Sequence, residues 1–235
     1  MYSKMPKQPK QWETWHGMHT FLCDGRIMLG PDIGVTGFAA GLTTAASVAF
    51  WVWVCPQLPP VVLVVGALLY ALTMFFMIAC ATTDPGILPR DPTVDDAEAA
   101  ANAELRRTVL VNGRAVPLKW CYTCRIWRPP RAAHCSECNV CVERFDHHCP
   151  WMGQCIGKRN YRYFLGFVAS VTALCVYTAL ASLVVFLRAA AAVEAALALD
   201  IVSQAAEREP AACATLVFPA VILLCVSPLA CYHAA

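Results

Sequence analysis

The chain has 235 residues, of which 58% are hydrophobic and 14% charged. Soluble domains carry about a quarter charged residues, so this composition excludes an ordinary soluble globular protein and points to the membrane. A formal net charge of +2 gives no basis for a nucleic-acid partner.

Taken in chain order, residues 1–33 form a tail holding Lys4, Lys7, Lys10 and Arg26. The lysines precede the polar, aromatic stretch WETWHGMHT rather than an apolar core, so the tail is not a signal peptide. Those lysines are expected against anionic lipid, at about 1 kcal/mol each. Residues 34–54 form the first uncharged apolar run, with Trp51 and Trp53 at its far end, where amphipathic rings settle at headgroup level. The stretch CPQLPP, Cys55 to Pro60, predicts a tight turn into a second run over 61–81. In the region 82–163, Thr93 to Leu105 predicts a short exposed helix with its acids early, and Val111 to Arg114 a turn. Tyr161 and Tyr163 lead into a third run, 164–187. The alanine-rich stretch Ala189 to Glu209, within the loop 188–210, follows and is expected to continue the third span into the lumen as a helix. A fourth run, 211–232, is interrupted by Pro219 and Pro228, which membrane helices tolerate.

None of the four runs contains Lys, Arg, Asp or Glu, and each reaches the roughly 20 residues needed to cross a hydrocarbon core. The fold class expected is therefore membrane all-α: four transmembrane helices, with a cysteine-rich region between the second and third. Lys and Arg number four before the first span, none in the first turn, twelve between spans two and three, and two between spans three and four. The positive-inside rule then puts the N-terminus and the central region in the cytosol, and the turn at 55–60 and the loop 188–210 on the luminal side.

Seven of the fourteen cysteines fall between Cys121 and Cys155, together with His134, His147 and His148. Three C-x-x-C steps (121/124, 135/138 and 138/141) match the reach of zinc knuckles. Disulfides are the alternative, but they do not persist in a reducing cytosol. Two four-coordinate zinc ions use eight of the ten donors, leaving two groups over. Spacing does not say which two, since Cys138 can pair with either neighbour. Pro150 holds Cys149 extended, and alternation then puts His147 and Cys149 on one face and His148 on the other. If His148 turns to a metal, His147 lies beside a free thiol, a candidate nucleophile. The competing arrangement makes Cys149 a ligand and leaves Cys141 or Cys155 over.

The string C-x2-C-x9-H-C-x2-C-x2-C-x4-D-H-H-C-x5-C-x4-N-x3-F, from Cys121 to Phe164, resembles the cysteine-rich domain of the DHHC-type protein S-acyltransferases (palmitoyltransferases). The flanking pairs of spans and Asp84-Pro85-Gly86 after the second also resemble that family. The resemblance implies a small β-hairpin and loop zinc fold over 119–163. One structural zinc would be held by Cys121, Cys124, His134 and Cys141, the other by Cys135, Cys138, His148 and Cys155. It further implies that Cys149 takes an acyl group from palmitoyl-CoA and passes it to cysteines of cytosol-facing substrate proteins. His147 would be the general base and Asp146 its orienting partner, a role that needs a local turn because adjacent residues of an extended chain face opposite ways. Trp151 is expected near the reaction centre and Asn160 in support of the fold. Arg125, Arg128, Arg131, Lys158, Arg159 and Arg162 offer a basic surface for CoA phosphates. The expected setting is an endomembrane such as the Golgi or ER. Family members usually continue beyond the fourth span into a cytosolic tail with a Thr-Thr-x-Glu motif and a short aromatic motif; neither occurs before Ala235. A membrane-anchored zinc module that recruits proteins is the competing class, and it leaves the surplus thiol and histidine without a use.

Overall fold

A long uncharged run can satisfy its backbone polar groups in lipid only as a helix. In the computed structural model, which describes Lys10 and residues 12–194 and 197–234, each of the four runs is one. Lys4 and Lys7, assigned above to anionic lipid, lie outside the described residues.

The elements in chain order are β1 (Thr20–Leu22), β2 (Ile27–Leu29), α1 (Ile33–Ala49), α2 (Pro60–Thr82), β3 (Ile87–Leu88), α3 (Asp96–Glu104), β4 (Thr108–Val111), β5 (Arg114–Pro117), β6 (Lys119–Cys121), β7 (Ile126–Arg128), β8 (Ala133–Cys135), β9 (Val140–Val142), β10 (His147–Cys149), β11 (Gln154–Ile156), α4 (Tyr161–Ala191), α5 (Ala198–Arg208) and α6 (Pro210–Ala234). A π turn, Phe50–Val54, and a 3-10 turn, Cys55–Gln57, prolong α1. Among the described residues, four helices are long and apolar enough to cross a membrane: Ile33–Gln57, Pro60–Thr82, Tyr161–Ala191 and Pro210–Tyr232. By contact the chain divides into one unit of Met1–Thr36 with Ala81–Tyr161, and another of Gly37–Cys80 with Arg162–Ala235.

The second unit holds most of the apolar helices. Lipid tails are as apolar as leucine, so such helices associate through packing and hydrogen bonds rather than through a hydrophobic drive. Phe50, Val54, Cys55, Val185 and Ala212 form a buried cluster. Thr44 and Tyr70 share a hydrogen bond of 2.8 Å across α1 and α2. Tyr177 donates to the Val62 carbonyl at 2.9 Å, and Ser182 and Thr215 pair at 2.8 Å between α4 and α6. The α6 helix runs unbroken through Pro219 and Pro228. After α4 the chain breaks before α5, so the expected prolongation of the third span ends at Ala191.

The first unit is a set of short antiparallel hairpins. The turn predicted at Val111 to Arg114 joins β4 to β5, with Asn112 and Gly113 both at positive φ, as a two-residue hairpin turn requires. The helix predicted within Thr93 to Leu105 is α3, capped by Asp95, whose carboxylate accepts the Glu98 N–H at 2.8 Å. Asp84 accepts the N–H groups of Gly86 and Ile87, each at 2.8 Å, and pairs with Arg159. That turn feeds β3, which adds to the edge of β9 in a three-stranded sheet of order β3-β9-β8.

The N-terminal segment is tied to the last hairpin. Asp32 donates its N–H to the Gly153 carbonyl at 3.2 Å, and Gly30 lies so close to Gly153 and Gln154 that any Cβ there collides with backbone. Gly30→Ala is therefore expected to destabilise this unit by about 1–3 kcal/mol, read as a lower melting temperature of the detergent-solubilised protein. Gly34→Ala, at a position open for 4 Å around, should leave the melting temperature unchanged.

Candidate metal centres and nucleophile

Three hairpins, β6–β7, β8–β9 and β10–β11, carry the cysteine-rich window. In the first, Cys121 and Cys124 flank the turn, the Cys124 N–H donates to Cys121 Sγ at 3.4 Å, and Arg125 takes a left-handed φ of 54°. The second repeats this with Cys135 and Cys138, an N–H to Sγ distance of 3.4 Å, and Asn139 at φ 53°. Left-handed backbone is costly for most non-glycine residues, and in both turns it directly follows the second cysteine. Further along the strands, His134 stands directly across from Cys141, and His148 directly across from Cys155. Directly opposed residues project from the same face, so each cross-strand pair offers one imidazole and one thiol to a single point.

Each pair meets the C-x-x-C of the preceding hairpin. Cys121, Cys124, His134 and Cys141 bring their ligand atoms within 4.8 Å of one another, as do Cys135, Cys138, His148 and Cys155. The second set follows from the first by a uniform step of 14 residues, from Cys121 to Cys135, Cys124 to Cys138, His134 to His148 and Cys141 to Cys155. His134 Nδ1 lies 3.5 Å from Cys124 Sγ and 3.8 Å from Cys141 Sγ. His148 Nδ1 lies 3.5, 3.4 and 3.7 Å from the sulfurs of Cys135, Cys138 and Cys155. Tetrahedral zinc, with Zn–S about 2.3 Å and Zn–N about 2.0 Å, separates sulfur from nitrogen by roughly 3.5 Å. The donor sets fit such an ion.

Electrostatics agree with geometry. A hydrogen bond from Cys141, with a smaller one from His134, lowers the Cys124 thiol to about 5, while the same contact pushes Cys141 well above the usual thiol range. In the other cluster Cys135 is lowered by its bond from Cys138, which is pushed up to about 12, and Cys155 is raised chiefly by its bond to Cys135. Thiols packed this closely cannot all ionise unless a cation shares the site. Cysteine thiolates with imidazole suit zinc. All fourteen cysteines are free thiols, so the disulfide alternative is not what the fold uses.

His148 has a further partner. With Nδ1 facing the thiols, its Nε2–H donates to Asp32 Oδ2 at 2.7 Å, the carboxylate–histidine relation that fixes a metal ligand's tautomer and orientation. The sequence reading passed over Asp32, and nothing local marks it: it precedes an apolar run and meets a histidine 116 residues away. Asn160 is fully buried, accepting the Gly157 N–H and donating to the Cys155 carbonyl, both at 2.9 Å. It braces the strand end that carries Cys155.

Cys149 belongs to neither cluster. It stands across from Gln154 and is 7% exposed. Alternation along β10 places it with His147, opposite His148. His147 Nδ1–H donates to Asp146 Oδ2 at 2.7 Å although the two are adjacent in sequence, and the Asp146 N–H is itself held by the Ile156 carbonyl at 2.9 Å. Burial raises the Cys149 thiol, opposed by the backbone N–H groups of Met152 and Trp151. Gln154 is buried and its amide donates to the carbonyls of Ala81 and Thr83 at 2.9 and 3.0 Å, satisfying acceptors at the end of α2 that have no intrahelical donor. Trp151 is 56% exposed. Of the basic residues named for phosphate, Lys158 pairs with Glu143, Arg159 with Asp84, and Arg125 donates to the Val94 carbonyl. Arg162 lies over the Tyr163 ring.

The family described as DHHC palmitoyltransferase matches residues 115–235, just over half of the chain. This chain belongs to that family. Among curated proteins it is 41% identical over 180 residues to Palmitoyltransferase ZDHHC18-A of Danio rerio, covering 70% of this chain and 38% of the relative. It is 39% identical over 186 residues to Palmitoyltransferase ZDHHC14 of Homo sapiens (72% and 38%) and 39% over 191 residues to Palmitoyltransferase ZDHHC9 of Bos taurus (73% and 52%). The chain therefore spans about two fifths to one half of the length of these relatives. In this DHHC family member, Asp32→Asn should weaken metal retention at the His148 cluster by about 10–100-fold. Release of zinc to a chromophoric chelator would show one fast and one slow ion, where the unaltered protein gives two slow ones.

Proposed function

We propose that this protein is an S-acyltransferase. It moves a long-chain acyl group, palmitoyl, from acyl-CoA to cysteines of substrate proteins through a thioester on Cys149. The observation that supports this reading best is that two four-donor clusters leave Cys149 unclaimed on the face of β10 that also carries His147, itself held by Asp146. The names of the relatives, all palmitoyltransferases, support the same chemistry.

In the first half-reaction His147 Nε2 takes the proton of Cys149 Sγ, and the sulfur attacks the thioester carbonyl. The bond to the CoA sulfur breaks and that sulfur leaves with the proton from His147. In the second, His147 takes the proton of a substrate cysteine, whose sulfur attacks the Cys149 thioester, and Cys149 leaves with that proton. Asp146 accepts from Nδ1–H throughout, keeping Nε2 the basic nitrogen and stabilising the imidazolium. Zinc held by Cys121, Cys124, His134 and Cys141 and by Cys135, Cys138, His148 and Cys155 would supply folding energy rather than chemistry, since closed four-donor sets leave no position for substrate. A palmitoyl chain has about fourteen methylenes, each worth roughly 0.8 kcal/mol when buried, so a site in water forfeits about 11 kcal/mol. That cost favours a reaction at a membrane with the acyl chain in hydrocarbon; the family resemblance suggests an endomembrane, with CoA on the cytosolic side. The Lys and Arg bias puts the N-terminus and the metal module on the cytosolic side.

The purified protein incubated with labelled palmitoyl-CoA should acquire a hydroxylamine-sensitive label. Cys149→Ser should not, and equal labelling of the two would end the proposal. His147→Ala should slow acylation by about 100- to 10,000-fold with zinc content unchanged. Cys149→Ala should also keep two ions per chain.

A further inference from the structure

The third hairpin is built like the first two. Cys121 stands across from Ile126, Cys135 from Val140 and Cys149 from Gln154, again in steps of 14 residues. These three cysteines are 6%, 5% and 7% exposed. Three residues on come Cys124, Cys138 and Met152, at 0%, 0% and 1%. The next residues, Arg125, Asn139 and Gly153, have φ of 54°, 53° and 75°. Cys149 therefore occupies the first-ligand position of a third knuckle, and Met152 the second.

Each cluster joins the knuckle of one hairpin to the cross-strand pair of the next, so three hairpins make two sites and leave one half-site at each end. At the first end the pair is Trp120 across from Trp127, with ring centroids 5.4 Å apart in place of imidazole and thiol. At the last end the knuckle has no successor. A further step of 14 from His148 and Cys155 falls on Arg162 and Ala169, inside α4.

We propose that Met152 determines whether the sulfur of Cys149 serves as a nucleophile or as a metal ligand. Two thiolates spaced C-x-x-C chelate a soft divalent cation, whereas one thiolate beside a neutral thioether holds zinc or cadmium poorly. The thioether fills the same buried place without completing the chelate. The proposal rests on the reading of Cys149 as the acyl carrier, but its readout is metal stoichiometry and does not depend on activity.

The test is Met152→Cys, purified under reductant, loaded with a small excess of cadmium and desalted, with zinc plus cadmium counted per chain. The unaltered protein and Met152→Leu should hold two ions. Met152→Cys should hold three, with acyl-enzyme formation lost on cadmium loading, and Cys149→Ser/Met152→Cys should return to two. A count of two in Met152→Cys, with acylation unaffected by cadmium, would overturn the proposal. Zinc content before loading reports folding: if Met152→Cys retains fewer than two ions, Met152→His, which restores a ligand as imidazole, is read in the same way. Should Cys149→Ser still acquire thioester label, the acyl-carrier reading fails while a rise from two to three still establishes the ligand position.

Discussion

Metal coordination is the constraint on which the rest of this fold depends. The hairpins between α2 and α4 are strands of two to four residues, far too short to bury a core of their own. Eight donors gathered into two sets give them one, and the manner of gathering matters. Neither donor set lies within a single hairpin. Because each set takes a knuckle from one hairpin and a cross-strand pair from the next, binding fixes the angle between successive hairpins as well as the shape of each. The middle hairpin gives Cys135 and Cys138 to one set and His134 and Cys141 to the other, so both sets order it.

An interlocked array of this kind ends in unmatched halves, as repeat proteins end in units that differ from their interior. The two ends are treated differently here. At the entry, Trp120 and Trp127 occupy the pair position and convert it into packing. At the exit, the knuckle keeps its first cysteine. The sulfur in that position has the same kind of turn and backbone N–H groups directed at it, and it lies outside both donor sets.

Much of this was legible in the residues. The uncharged runs required four spans, and ten donors against eight ligand positions required a surplus. The alternation around Pro150 put His147 and Cys149 on the face away from His148, as β10 does. Spacing could not decide whether Cys138 pairs with Cys135 or Cys141. The step of 14 residues narrows the choice to two partitions, one leaving Cys149 over and the other Cys121, and the fold takes the first. That signal was in the sequence and was not used. Asp32 is a different case. Its partner His148 is 116 residues away, and no local pattern distinguishes a carboxylate that orients a metal ligand from one that merely precedes a helix.

The same long-range contacts explain why the residues before the first span belong to the site rather than to a dispensable tail. Cys149 is restrained from both chain directions. On one side His148 is oriented by Asp32, and on the other the carbonyl of Gly153 accepts the Asp32 N–H while Gly30 allows the two segments to approach. Across the hairpin, Gln154 binds carbonyls at the end of α2. Gln154, directly across from Cys149, is itself held by these two amide bonds. Removing those bonds leaves both clusters their eight donors, yet unties the strand partner of Cys149 from the carbonyls of Ala81 and Thr83. The donors of the His148 cluster and the support of Cys149 are therefore separable features of this hairpin.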